Sequence, residues 1–142
     1  MVAIAKRLAS AHKISLLQRE HFKATHDPLT GLLNQVALDD RIEHEISMGA
    51  RYKKKFAVVI LEVDKLQDSS SAFSRSFTNK LIIDFATRLK NCIRSTDMIA
   101  RYEENIFAIL LPDVPTTRSV IKVIQSINIE LLSPFSLSSS NR

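Results

Sequence analysis

The sequence predicts an α+β fold, in which helices pack against a mostly antiparallel β-sheet. Helix-like and strand-like hydrophobic patterns follow one another in the order helix, helix, strand, helix, hairpin, helix. The clearest single observation is a pair of short apolar strands, residues 98–102 and 106–111, with only three residues between them. Because so short a connection joins antiparallel strands, these two segments predict a β-hairpin.

The first element is an amphipathic helix over residues 2–24, which contain neither proline nor glycine. Its apolar residues keep a spacing of four and three at first and then continue in a shifted register: Ile4, Leu8, Ala11, Ile14, Leu17 and Phe22. The pattern fits a helix that packs on its own domain. It fits equally well a short coiled-coil stalk that dimerises or attaches the chain to a partner.

The second helix follows a turn that contains Pro28 and Gly31. Asn34 is a suitable N-terminal cap, since its side chain can accept a bond from an early helical N–H. The helix is predicted to run to about Met48 and to stop at Gly49. The residues predicted to share one side of it are Val36, Ile42 and Ile46.

Residues 56–63 form a run that is apolar apart from Glu62, which predicts a strand buried on both faces. The strand ends at the carboxylates Glu62 and Asp64, whose spacing places both side chains on one side of a strand. Two carboxylates facing a hairpin can bind a hard divalent cation, or they can be solvated acids at a strand end.

Two further helices complete the predicted fold, over residues 77–93 and 116–132. Their inward-facing residues are predicted to be Phe77, Leu81, Phe85, Leu89 and Cys92 in the first, and Val120, Val123, Ile124, Ile127 and Leu131 in the second. The serine-rich residues 136–142 predict a loose tail.

Composition excludes several classes of function. The chain has only two glycines, Gly31 and Gly49, so no glycine-rich phosphate loop can be written. The net charge of +5 is spread along the chain, which indicates a solvated basic surface and no nucleic-acid partner. The single cysteine, Cys92, excludes an internal disulfide, and no apolar run is long enough to span a membrane. We therefore expect a cytoplasmic chain.

Three segments together resemble the GGDEF domain, the diguanylate cyclase family. The segment HDPLTGLLNQ, residues 26–35, is similar to the family's opening D-x-L-T-G-L-x-N-R motif. FAVVILEVDKLQ resembles its first strand, and LIIDFATRLKNCIRSTDMIARYEENIFAILLPDV resembles the helix, R-x-x-D element and signature hairpin.

The resemblance implies a palm-like sheet of the nucleotidyl-cyclase or ferredoxin-like type, formed by residues 26–135 as a partial domain without the family's last hairpin. Residues 1–25 would be a signalling helix. The strand at residues 56–61 would then have one open edge, or an edge that a neighbour covers.

The family condenses two GTP molecules into cyclic di-GMP with Mg²⁺ or Mn²⁺, one GTP on each subunit of a dimer. Its G-G-[D/E]-E-F turn corresponds here to Glu103, Glu104, Asn105, Ile106 and Phe107. Acids replace both glycines, where they would crowd and repel a phosphate, and an apolar side chain replaces the glutamate. The family's metal carboxylates correspond to Glu62 and Asp64, and its guanine contacts to Ser70 and Asn79.

Arg94 and Asp97 resemble the R-x-x-D element of the family's inhibitory cyclic di-GMP site, although the same residues can form a plain ion pair. The resemblance implies a catalytically inactive module of bacterial cyclic di-GMP signalling, which acts by interaction or dimerisation through residues 1–25. The alternatives are a residual diguanylate cyclase and a cyclic di-GMP receptor. No cofactor is expected unless residual activity requires Mg²⁺ or Mn²⁺.

Overall fold

The computed structural model of the 142-residue chain describes residues 2–63 and 72–132. The predicted order of elements is confirmed. They are α1 (Val2–Thr25), α2 (Gln35–Tyr52), β1 (Ala57–Glu62), α3 (Ala72–Lys90), β2 (Met98–Glu103), β3 (Ile106–Leu111) and α4 (Thr117–Leu132). Asp64, Ser70 and the predicted tail lie outside the described residues.

The three strands form an antiparallel sheet in the order β1-β3-β2. Strand β3 lies in the centre, and every residue in it after Ile106 is buried. Two apolar clusters cover the two faces of β3. One contains Phe107 and Ile109 together with Phe85 and Leu89 of α3 and Ile127 of α4. The other contains Leu38 of α2 with Ala100, Ala108 and Leu110. The prediction of an α+β fold with helices against an antiparallel sheet is therefore confirmed.

The prediction that β1 is buried on both faces is wrong. Exposure alternates along the strand, and Val58 and Ile60 are 38% and 69% exposed. The reason is the position of α2, which packs on β2 and leaves this face of β1 uncovered. Because β1 pairs with β3 alone among the described strands, it is an edge strand of that sheet.

The predicted end of α2 is also wrong. The helix continues past Gly49 to Tyr52, and Lys53 ends it in a left-handed conformation with φ of 54°. Its buried residue is Leu38, whereas Val36 and Ile46 are 69% and 55% exposed. The cap is confirmed, since the Asn34 side chain accepts a hydrogen bond of 3.0 Å from the amide of Ala37.

Three smaller differences concern the second half of the chain. Helix α3 covers Ala72–Lys90 rather than residues 77–93, and Phe77 in its N-terminal half is 41% exposed. Ile124 in α4 is 40% exposed, so it does not face the core as predicted. Glu103 belongs to β2, which shortens the hairpin connection to Glu104 and Asn105.

Helix α1 is a single helix, as predicted. Of its described side chains, Ile14, Leu17 and Phe22 are each more than half exposed. Its C-terminal end is joined to the turn before α2, because the Asn34 amide donates to the Thr25 carbonyl and the Asn34 side chain donates to Ala24. In the described part of the chain, no helix has the length and apolar character needed to cross a membrane.

Candidate functional site

The signature segment forms the tip of the β2–β3 hairpin, and β1 ends beside it. In the sheet, Ile106 lies between Glu62 of β1 and Glu103 of β2. The Val63 amide donates a hydrogen bond of 2.8 Å to the Asn105 carbonyl, which attaches the turn to the end of β1. The prediction that Glu62 faces the hairpin is confirmed.

The conformation of this tip is held by Arg101. Its Nε and Nη2 atoms donate to the Glu104 carbonyl at 3.0 and 2.8 Å, so the guanidinium binds the turn through two hydrogen bonds. Its Nη1 atom reaches the Asp27 carboxylate at 3.4 Å. Both side chains are largely buried, with exposures of 14% and 17%. Arg101 therefore ties the signature turn to the loop that precedes α2.

That loop is built around Asp27. One oxygen of its carboxylate accepts bonds from the amide and the hydroxyl of Thr30, at 2.9 and 2.8 Å. The Asp27 carbonyl accepts a hydrogen bond of 2.8 Å from the Gly31 amide, which closes the turn. Gly31 has φ of 73°, a left-handed conformation that glycine adopts without strain. The other carboxylate oxygen is left to face Arg101.

A cleft of about 420 Å³ lies between this loop, the start of α2 and the hairpin. Its charged lining consists of Asp27, Arg101, Glu103 and Glu104, and Tyr102 lines it as well. The Tyr102 hydroxyl donates to Asp39 of α2 at 2.9 Å, which is a second link between the hairpin and α2. With three carboxylates and one engaged arginine, the lining opposes an anionic ligand.

The five signature positions divide into solvent-facing and core residues. Glu103 and Glu104 are exposed, and Asn105 and Ile106 are partly buried. Phe107 is fully buried, and its ring lies 4.9 Å from that of Phe85. The one position that keeps the family residue thus packs in the core.

Two of the four predicted metal and nucleotide residues, Glu62 and Asn79, lie in the part of the chain that the structure describes. Glu62 is exposed at the end of β1, and Asn79 is exposed on α3. Their predicted companions, Asp64 and Ser70, fall in the range 64–71, which the structure does not describe. Over residues 2–63 and 72–132, no group of three or more His, Cys, Asp or Glu side chains is placed to hold a metal ion.

Arg94 and Asp97 form an ion pair with each other. The Asp97 side chain is completely buried, and its carboxylate accepts from the Arg94 amide at 2.8 Å and from Nη2 of the guanidinium at 2.9 Å. Nη2 also donates to the Pro112 carbonyl, while the Arg94 side chain remains 53% exposed. The hydrogen bond to Asp97 raises the pKa of Arg94, so the guanidinium keeps its positive charge.

Cys92, just after the end of α3, is partly buried and packs against the apolar cluster of Phe85 and Leu89, in agreement with its predicted inward position. Its thiol donates to the Arg88 carbonyl at 3.3 Å. Burial raises the pKa of the Cys92 thiol, and the negative charge of Glu130 raises it further, so the reactive thiolate is suppressed.

Sequence reasoning missed Arg101 and the role of Asp27. The available signal was the single cationic residue of the strand MIARYE, which follows three apolar residues and stands two positions before the signature residue Glu103. Such a charge requires a partner when it is partly buried. The motif that includes Asp27 supplies that partner from a distant part of the chain.

Comparison with known proteins agrees with this geometry. The family model described as "Diguanylate cyclase, GGDEF domain" matches residues 24–142. The bifunctional diguanylate cyclase/cyclic di-GMP phosphodiesterase MucR of Pseudomonas aeruginosa is 34% identical over 88 residues, which are 62% of this chain and 13% of MucR. The diguanylate cyclase DgcP of the same species is 33% identical over 98 residues, which are 69% of this chain and 15% of DgcP. The chain therefore spans less than a fifth of either relative.

Solved structures show the same fold at lower identity. A structure of the coiled coil and GGDEF domain of DgcB from Caulobacter crescentus, in complex with c-di-GMP, has a TM-score of 0.82 at 20% identity. The match covers 94% of this chain and 70% of that one. The diguanylate cyclase SiaD from Pseudomonas aeruginosa, in complex with its activator SiaC, has a TM-score of 0.72 at 20% identity and covers 93% of this chain and 50% of that one. On the match of the family model and this shared fold, the chain belongs to the GGDEF domain family.

Proposed function

We propose that this chain is a catalytically inactive GGDEF-type module of bacterial cyclic di-GMP signalling, which acts in the cytoplasm through interaction and dimerisation. The observation that carries the proposal is the signature turn. A turn that binds the phosphates of a nucleoside triphosphate needs space next to its backbone and side chains without negative charge. Here glutamates occupy both glycine positions.

The surroundings of the turn add to that argument. Glu62 and Glu103 flank Ile106 on its two neighbouring strands, so their carboxylates are set on either side of an apolar residue that offers no ligand. Arg101, the cation nearest to the turn in sequence, is already bonded to the Glu104 carbonyl and to Asp27. A phosphate that approached the turn would be repelled by these carboxylates and would gain little attraction from Arg101.

The dimerisation part of the proposal depends on α1. The match to the DgcB structure that contains both coiled coil and GGDEF domain covers 94% of this chain, whereas the match to the DgcB GGDEF domain by itself covers 78%. The difference is close to the 24 residues of α1. The exposed Ile14, Leu17 and Phe22 give this helix apolar surface that a second helix can cover.

Incubation of the purified protein with GTP and either Mg²⁺ or Mn²⁺ tests the loss of catalysis. We expect no cyclic di-GMP by liquid chromatography at enzyme concentrations that give full conversion with an active family member. Turnover that Glu62→Ala abolishes would contradict the proposal, because Glu62 is the described acid at the predicted metal position. The control is Glu43→Ala, which removes an exposed acid from α2.

Binding of cyclic di-GMP through Arg94 and Asp97 stays a separate prediction. The half-exposed guanidinium of Arg94 favours it, since Asp97 and Pro112 already fix its orientation. The burial of Asp97 opposes it, because a guanine would have to draw that carboxylate away from Arg94.

A further inference from the structure

The connection from α2 to β1 concentrates positive charge. Residues 51–55 read RYKKK, and the side chains of Arg51, Lys53, Lys54 and Lys55 are all exposed. Of the 20 Lys and Arg residues these four leave 16, against 15 Asp and Glu. Although charged residues occur along the whole chain, most of the net charge of +5 therefore belongs to this one segment, which we call the basic turn.

The main chain of the basic turn is held in place on both sides. Lys53 ends α2 in a left-handed conformation, and the Lys54 carbonyl oxygen returns against Gly49 inside the helix. The Lys55 carbonyl then accepts a hydrogen bond of 2.7 Å from the Val114 amide, which follows β3. Because these contacts use main-chain atoms, the lysine side chains take no part in them. A partner would therefore meet the cations on an ordered turn, which lowers the entropy lost on binding.

The cations of the basic turn are not neutralised within the described part of the chain. The ion pairs of residues 2–63 and 72–132 engage four other cations, which are Lys23, Arg88, Arg94 and Arg101. Asp113 stands next to the anchoring Val114, and its charge acts on Arg94: the hydrogen bond to Asp97 and, as a smaller cause, Asp113 raise the pKa of Arg94. An anionic partner at the basic turn would break none of these ion pairs, and it would offset the mutual repulsion of four like charges.

Tyr52, in the middle of the basic turn, favours a lipid surface over a nucleic acid. Its side chain is 55% exposed, and the Arg51 guanidinium carbon lies 5.8 Å from the centre of its ring. Single-stranded nucleic acids bind by stacking bases on aromatic rings, and here a guanidinium already covers one face of the ring. At a membrane surface, tyrosine lies at the level of the headgroups while neighbouring cations meet the phosphates.

We propose that the basic turn binds the surface of a membrane that contains anionic phospholipids. The four cations contact the headgroup phosphates, and Tyr52 lies among the headgroups. Each cation near such a surface strengthens binding about fivefold, and salt screens the attraction. The contact uses neither the signature turn nor α1, so it goes beyond the proposed function and does not rest on it.

Co-sedimentation of the full chain with phospholipid vesicles tests this contact. We expect binding to vesicles that contain about one third phosphatidylserine in phosphatidylcholine, no binding to phosphatidylcholine alone, and a loss of binding in about 0.5 M NaCl. The triple variant Lys53→Gln, Lys54→Gln and Lys55→Gln is expected to bind about a hundredfold more weakly. Changing the same three lysines to arginine keeps the charge and is expected to retain binding.

A matched control separates the basic turn from net charge. Lys13→Gln, Lys80→Gln and Lys90→Gln together remove the same charge from exposed positions of α1 and α3, and this variant is expected to bind within about threefold of the wild type. Circular dichroism shows whether each variant is folded. The proposal is overturned if the wild type does not distinguish anionic from neutral vesicles, or if the two folded glutamine variants lose affinity equally. It is also overturned if polyuridylic acid, at the same phosphate concentration, binds the wild type more tightly than the anionic vesicles do.

Discussion

Arg101 of β2 joins the signature turn to the loop before α2, in which its partner Asp27 lies 74 positions earlier in the chain. Its planar guanidinium fits this position because three of its N–H groups point to two different acceptors. Lysine offers a single point charge and cannot bond the Glu104 carbonyl twice while it reaches Asp27. The position therefore requires the fork-shaped guanidinium of arginine, and a positive charge alone is not sufficient.

We expect Arg101→Lys to lower the free energy of unfolding by about 1–2 kcal/mol and Arg101→Ala by about 2–3 kcal/mol, since the alanine variant also leaves Asp27 without its cation. Urea denaturation followed by circular dichroism measures both changes. The control, Arg118→Lys on the exposed surface of α4, is expected to stay within about 0.5 kcal/mol of the wild type. Equal stability of Arg101→Lys and wild type would show that the fork geometry contributes nothing.

The site also shows where sequence reasoning succeeds. Glu62 lies beside the hairpin, as expected for a carboxylate at the end of the first strand. The link from Arg101 to Asp27 could not be read from either segment, because each half of the pair looks like an ordinary polar residue near a turn. Only the paired strands and the folded loop bring them together.

At the scale of the element, Gly49 has a different use from the one predicted. It lies inside α2, and a Cβ atom built on it would be 2.7 Å from the Lys54 carbonyl oxygen. The left-handed Lys53 turns the chain back across the last turn of the helix, and glycine leaves room for that return. The sequence favours Gly49 as the stop because glycine is the usual residue there.

Gly49→Ala therefore reverses a general expectation. In an open helix interior the substitution stabilises by up to about 1 kcal/mol, but here we expect a loss of about 1 kcal/mol or more because the backbone must shift. Ser47→Ala, at an exposed position of the same helix, is the control and is expected to be neutral or slightly stabilising. A rise in the urea midpoint of Gly49→Ala would mean that the turn at Lys53 adjusts without cost.

The buried side of α2 was mispredicted for a related reason. Val36, Ile42 and Ile46 have helical spacing, yet contact with β2 selects Leu38 and leaves Val36 and Ile46 in solvent. Periodicity finds a helix reliably, but several apolar stripes can share one helix. Which stripe is buried depends on where the neighbouring strand lies, and the local sequence of the helix does not contain that information.

At the scale of the whole molecule, the sheet domain and α1 differ in what holds them. Strand β3 is covered on both faces, so the domain has a two-sided core of its own. Helix α1 is attached at its C-terminal end, where Ala24 and Thr25 accept bonds from Asn34. Isolated helices are marginal in water, so the rest of α1 requires a further surface for stability.

Amide hydrogen exchange at two protein concentrations tests what supplies that surface. If α1 pairs with a second copy, amides of residues 10–22 are protected at high concentration and exchange at least tenfold faster when the protein is diluted to monomer, whereas the β3 amides do not change. Leu17→Asp places a charge on the apolar stripe and is expected to abolish the protection. The control is Gln18→Asp, which introduces the same aspartate at the neighbouring polar position and is expected to retain the protection. Protection that is independent of both concentration and Leu17→Asp would show that α1 is stabilised within its own chain, and the dimerisation part of the proposed function would fail.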